Sequence, residues 1–169
     1  YETYRIDTLG NETKLNSLDS AYIDRDTVVN GNTYFVLSGG STINHVMGRI
    51  IRNRDHDIVN LNYQGIDIIL FSSHNLGDVY RFDTINVFSY LFLSKTKTNP
   101  SFVAKNIGPH IYDCYEGVTE LTPFIQTAPI KPKPEKRYYE KSIGVVAGQY
   151  VYFSNPYVFE FRLLRYHLN

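Results

Sequence analysis

The sequence predicts an all-β fold: a single antiparallel, strongly curved sheet forming a barrel or half-barrel, with at most one short helix. Three observations predict it. The chain has 15 Tyr and 10 Phe among 169 residues, is rich in Val, Ile and Thr, and has a single Met; aromatic and β-branched side chains fit a pleated, half-buried surface. No segment carries an apolar period of 3.6 residues over three turns, and the nearest helical candidate, Thr13 to Ala21, is short and carries Asn16 and Ser17. Third, the last strand changes parity. Phe159, Phe161 and Leu163 share one face with Glu160 and Arg162 opposite, and then Leu164, Tyr166 and Leu168 take the other parity. Such a switch needs a bulge near Leu163-Leu164 or a strand covered on both faces, and bulges accompany curvature.

The elements follow from turn chemistry. Tyr1 to Asp7 stops at Gly10-Asn11. Ala21 to Val29 and Thr33 to Leu37 flank Asn30-Gly31, the strongest short hairpin signal because both residues tolerate positive φ. Val46 to Arg52, Ile58 to Tyr63 and Ile66 to Phe71 form a meander around the turns Arg54-Asp55-His56-Asp57 and Gln64-Gly65. Val79 to Thr84 and Val87 to Leu93 read as strands, and Lys95 to Pro100 as a polar connection. Phe102 to Ala104 and Ile111 to Glu116 are short strands around Gly108-Pro109. Thr127 to Glu135, with Pro129, Pro132 and Pro134, reads as extended loop. Arg137 to Val146, Gln149 to Phe153 and Phe159 to Leu168 close a final meander. Mid-strand positions Val59, Leu61, Ile68, Leu70, Val145, Val151 and Phe161 are the expected core. The whole chain, 1–169, reads as a single β-rich domain.

Composition excludes some functions. Lys+Arg and Asp+Glu are both 17, so the basic excess expected of a nucleic-acid binder is missing. The clusters Arg49 to Arg54 and Lys131-Pro132-Lys133 read as a solvated edge or loop. One cysteine, Cys114, precludes an internal disulfide. No apolar run reaches the roughly 18 residues of a spanning helix.

Candidate chemistry is sparse. Cys114 and His110 share a strand face, yet their Cα atoms would be ~13 Å apart along a strand, so a buried, inert thiol is expected. Among the histidines, His45, His56, His74 and His167 lack metal-ligand spacing. Asp24-Arg25-Asp26 reads as a solvated face. There is no GxSxG, Walker A or GxGxxG motif. Tyr138, Tyr139, Tyr150, Tyr152 and Tyr157 cluster near the C-terminus and read first as cross-strand aromatic pairing.

Four segments carry a resemblance. Arg137-Tyr138-Tyr139-Glu140-Lys141-Ser142-Ile143-Gly144-Val145-Val146, the hairpin Asp26 to Tyr34, the strand Gly65 to Ser72 and the terminal Phe161 to Tyr166 resemble exported proteins and lipoproteins of Bacteroidetes. Ser142 stands where that pattern has Gly. The resemblance implies an uncharacterised exported cell-envelope protein, periplasmic, outer-membrane-anchored or secreted, with a lipocalin-like sheet. It would be non-enzymatic, with no catalytic, metal or cofactor residues to carry over. A lipid or amphipathic small molecule, or another envelope protein, would be its partner; the alternative is a surface interaction or structural module with no ligand cavity.

Overall fold

A computed structural model of the chain describes residues 1–40, 48–87, 90–124, 132–151 and 155–166. These contain thirteen strands and no helix: β1 Glu2–Ile6, β2 Glu12–Leu18, β3 Ala21–Val29, β4 Asn32–Gly39, β5 Ile50–Arg54, β6 Asp57–Leu61, β7 Asp67–Ser72, β8 Val79–Val87, β9 Tyr90–Ile107, β10 His110–Pro123, β11 Glu135–Glu140, β12 Gly144–Val151 and β13 Val158–Arg162. All described pairings are antiparallel. The segment considered for a helix, Thr13 onward, lies in β2.

The expectation of one curved sheet closing into a barrel or half-barrel is corrected. There are two sheets, ordered β2-β1-β13-β12-β11-β10-β9-β8 and β3-β4-β5-β6-β7, and neither closes. The reason is in the pairing. After β2 the chain builds a complete meander of its own, and it re-enters the larger sheet at β8, the opposite edge from β2. The described residues accordingly form two compact units, 1–17 with 76–169, and 18–75.

In the smaller unit, tight turns set the register. Asn30 and Gly31 both have positive φ (51° and 76°), as the β3–β4 hairpin requires. Asp55 (φ 52°) closes β5–β6 and Gly65 (φ 77°) closes β6–β7. Val59, Leu70, Phe71 and Tyr34 are its buried apolar residues, while Leu61 and Ile68 are half-buried. A bulge between Ile23 and Arg25 interrupts β3, and Arg25 pairs with the adjacent Asp24 in solvent.

In the larger unit, β1 lies between β2 and β13, so the first and last strands are neighbours. Direct partners trace two rows across the sheet. Glu116, Tyr138, Ala147, Arg162 and Glu2 are successive partners on one face, and Thr98, Gly117, Arg137, Gly148, Phe161 and Thr3 on the other. Along β13, Glu160 and Phe161 point to opposite faces and both are buried. This strand is therefore covered on both sides, one of the two explanations for its pattern. The expected bulge near Leu163-Leu164 does not form, because β13 ends at Arg162. Gly148 is where backbone approach is closest: a Cβ there would lie 2.3 Å from the Phe161 ring.

Element readings change as well. Lys95 to Pro100 is not a connection but the middle of the 18-residue β9. Its buried face there is Ser94, Thr96 and Thr98, continuing Phe92, and Thr96 bonds Thr119 across the ladder (3.1 Å). Arg137 to Val146 is not one strand but β11 and β12 joined by a turn, which Gly144 leaves at φ 94°. Of the remaining expected core, Val145 and Phe161 are buried and Val151 half-buried. Residues 127–131 of the proline-rich segment lie outside the described residues, and so do His45, Tyr152 and His167.

Candidate functional site

The inner face of the larger sheet gathers charge that the strand pattern conceals. Glu160, 1% exposed, sits on β13 between two phenylalanines. Its Oε2 accepts hydrogen bonds from Lys105 Nζ (2.9 Å) and Gln149 Nε2 (2.8 Å), and its Oε1 from Arg162 Nε (2.6 Å). Arg162 also forks onto the Glu12 carboxylate and lies 4.2 Å over the Tyr4 ring, whose hydroxyl donates to Glu2. A row of alternating charge thus links β9, β12, β13, β1 and β2.

This row also measures curvature. Lys105 is on β9 and Glu160 on β13, four strands away. In a flat sheet that step is about 19 Å, beyond the reach of the two side chains. The sheet therefore curls over this face. Beside the ions, the curl packs Ile107, Cys114, Tyr138, Val146, Ala147 and Leu163 into a cluster.

The electrostatics follow from burial and pairing. Burial pushes the Glu160 carboxyl up, but the Lys105 charge and the hydrogen bonds from Gln149, Lys105 and Arg162 outweigh it and hold the group below the usual carboxylate range. The Tyr138 phenol is raised by burial and by the charges of Glu116 and Glu160; the Lys105 ammonium lies 4.5 Å over its ring. A second buried carboxylate, Glu116 on β10, accepts from Lys136 Nζ (2.9 Å) and Asn99 Nδ2 (2.5 Å).

The residues singled out from the sequence behave differently. Cys114 is fully buried, its Sγ donating to the Tyr112 carbonyl (3.5 Å). Burial, then the Glu140 charge, push its thiol up to about 11. His110 is exposed at the β9–β10 turn with its ring 6.0 Å from that of Tyr112, so the structure does not join it to Cys114. His56 and His74 stack (5.7 Å, 21°) beside the β5–β6 turn. Among the described residues no group of three or more His, Cys, Asp or Glu is placed to hold a metal. Tyr150 stacks on its cross-strand partner Phe159 (5.5 Å, 14°), the aromatic pairing expected. Tyr138 and Tyr139 are buried on opposite faces, and Arg5 lies over Tyr157 (4.8 Å).

The basic cluster Arg49 to Arg54 is not a solvated edge. Strand β5 is internal to its sheet, and Arg52 is largely buried because it binds Asp67 (2.6 Å), which also accepts from Tyr34 (2.9 Å). Lys133 of the other basic pair bonds the Pro156 carbonyl.

Sequence reading missed Lys105, Glu116, Gln149, Glu160 and Arg162. One signal was available: a strand covered on both faces that carries Glu and Arg must pair them.

Comparison with protein-family models, with curated proteins and with solved structures finds no match for the chain. No helix among the described residues is long and apolar enough to cross a membrane.

Proposed function

We propose that the chain is a non-enzymatic interaction or structural module of the cell envelope, rather than a carrier of lipid. The observation that supports this is the inner face of the larger sheet. A carrier needs an open apolar concavity. Here the concave side is crossed by the Lys105–Glu160 ion pair and packed by Ile107, Cys114, Val146 and Leu163. An acyl chain entering this space would have to break a buried ion pair, which costs several kcal/mol. The envelope assignment rests on the resemblance of the four segments described above. The partner this reading favours is another envelope protein. The outer side of the β9–β10 hairpin offers it Phe102 (60% exposed), against Tyr115, and Ile111 (72% exposed).

Two measurements test it. Titration of the delipidated protein with a fluorescent fatty acid should show no saturable stoichiometric site; one micromolar site per chain, competed by lipid extract from the host, would restore the carrier reading. A photo-crosslinking residue at Phe102 or Ile111 in host cells should capture an envelope protein that the same residue at Lys14 does not. Equal labelling from all three positions would remove the proposed surface.

A further inference from the structure

Three adjacent strands bring an amine, a carboxylate and a primary carboxamide together on the inner face of the larger sheet. Glu116 is on β10, the middle strand. Lys136 on β11 donates to its Oε1 (2.9 Å), and Asn99 on β9 donates to its Oε2 (2.5 Å) from the other side. The two nitrogens are separated by one carboxylate and two hydrogen bonds. Glu116 is buried. Asn99 lies where the β9–β10 register jumps from Thr98/Gly117 to Phe102/Tyr115, so it has no directly opposite partner on β10.

We propose that Lys136 and Asn99 form an intramolecular isopeptide bond, with Glu116 as the proton carrier. Lys136 Nζ gives a proton to Glu116 and attacks Asn99 Cγ as the free amine. The new Cγ–Nζ bond forms and the Cγ–Nδ2 bond breaks. Glu116 delivers that proton to Nδ2 and takes the second amine proton from the new C–N bond, and Nδ2 leaves with both as ammonium, which returns Glu116 to its carboxylate. The step is a transamidation, so no oxidant, reductant or cofactor is needed. Lys136 is 38% exposed in its side chain, which gives ammonia a way out.

Two features separate this cluster from an ordinary ion pair. The first is the contrast with Glu160. That carboxylate also meets a lysine and a carboxamide, but both donate to the same oxygen, Oε2, and a guanidinium takes the other. At Glu116 the lysine and the carboxamide sit on different oxygens, so the carboxylate bridges the two groups that would react. The second is Pro100. Asparagine ordinarily loses ammonia when the next backbone N–H attacks its side chain, and proline has no N–H. At Asn99 that competing route is closed, and Lys136 is the amine that shares its carboxylate. The chain has one cysteine, so this bond would be its means of internal covalent cross-linking.

Intact-mass measurement of the purified chain is the test. Wild type should weigh about 17 Da less than its sequence mass, the mass of one ammonia. Digestion should yield a branched peptide joining Asn99 to Lys136. That map separates it from ammonia loss at Asn30-Gly31, which makes no branch. Lys136→Arg and Glu116→Gln should both return to full sequence mass and melt at lower temperature than wild type. Asn99→Asp should lose water instead, about 18 Da, through the same bond. If Glu116→Gln does not fold, Lys136→Arg, which keeps the ion pair, carries the comparison. Wild type at full sequence mass after folding and prolonged incubation, or ammonia loss mapped away from Asn99 and Lys136, would overturn the proposal.

Discussion

The two compact units each bury a carboxylate against arginine and tyrosine, yet they assemble it from different distances along the chain. In the smaller unit Asp67 meets Tyr34, Arg52 and Arg54, all within β4, β5 and β7 of one meander. In the larger unit Glu160 and Arg162 recruit Lys105 from β9 and Glu12 from β2, the latter 150 residues away. The first arrangement is set by tight turns. The second exists only once the two ends of the chain have paired. The same chemistry therefore reports local folding in one unit and completed topology in the other.

The strongest way to break this comparison is Glu160→Gln. It would leave the Lys105 charge without its carboxylate while Arg162 keeps Glu12, and removing one partner of a buried pair typically costs about 3–5 kcal/mol. Hydrogen exchange should show the loss in β9, β12 and β13, with the β5–β7 amides unchanged; equal loss in both units would show the smaller meander depends on the Glu160 row. The acid response should follow. Because the folded Glu160 carboxyl lies below its usual value, its stabilising contribution is present above the unfolded carboxylate pKa of about 4.3 and is lost as pH falls through the folded value. Denaturant midpoints of wild type and Glu160→Gln should converge as pH falls through the folded Glu160 value.

In the smaller unit, Leu70→Ala should cost about 2–5 kcal/mol, since Leu70 is buried beside the β6–β7 irregularity. A loss under ~1 kcal/mol would mean the site collapses around the cavity. Gly148→Ala comes next. Its new methyl meets the Phe161 ring, itself fully buried, so overpacking of about 1–3 kcal/mol is expected. A second change, Phe161→Leu, should relieve part of it in a double-mutant cycle.

The smallest effect is at Cys114. With its thiol raised to about 11 by burial, labelling by a thiol reagent at pH 7 should be slow in the native state and fast in denaturant. Fast native labelling would mean that the hairpin β9–β10 opens readily from the curl.

What was legible in the sequence divides along the same line as the two units. The Asn30-Gly31 hairpin and the Asp55 turn announce themselves because both ends of each contact are a few residues apart. The β1–β13 pairing has no local signature. Nor does the split into two sheets. The polar run Lys95 to Pro100 misleads because a hydroxyl-lined buried face replaces a hydrocarbon one: Ser94, Thr96 and Thr98 alternate onto the face that Phe161 shares, and Lys95 and Lys97 onto the other. Pro100 normally argues against a strand, but it falls where β9 skips its ladder with β10, so its missing N–H costs no bond there. Glu160 reads as the polar side of an amphipathic strand. Only cover on the second face makes it a buried ion, and that cover comes from strands far away in sequence.

The position of β1 bears on how this chain is made. Residues 2–6 leave the ribosome well before their partner in β13, residues 158–162. Until those are synthesised, β1 and β2 can form at most a two-stranded ribbon, marginal by itself. The meander of residues 21–72 meanwhile has all its partners at hand. Nascent chains should thus pass through a stage with a finished small sheet and with the β13-facing edge of β1 still open. Such an edge invites pairing with other chains, and a chaperone or a delay in translation before residue 158 would act on that interval.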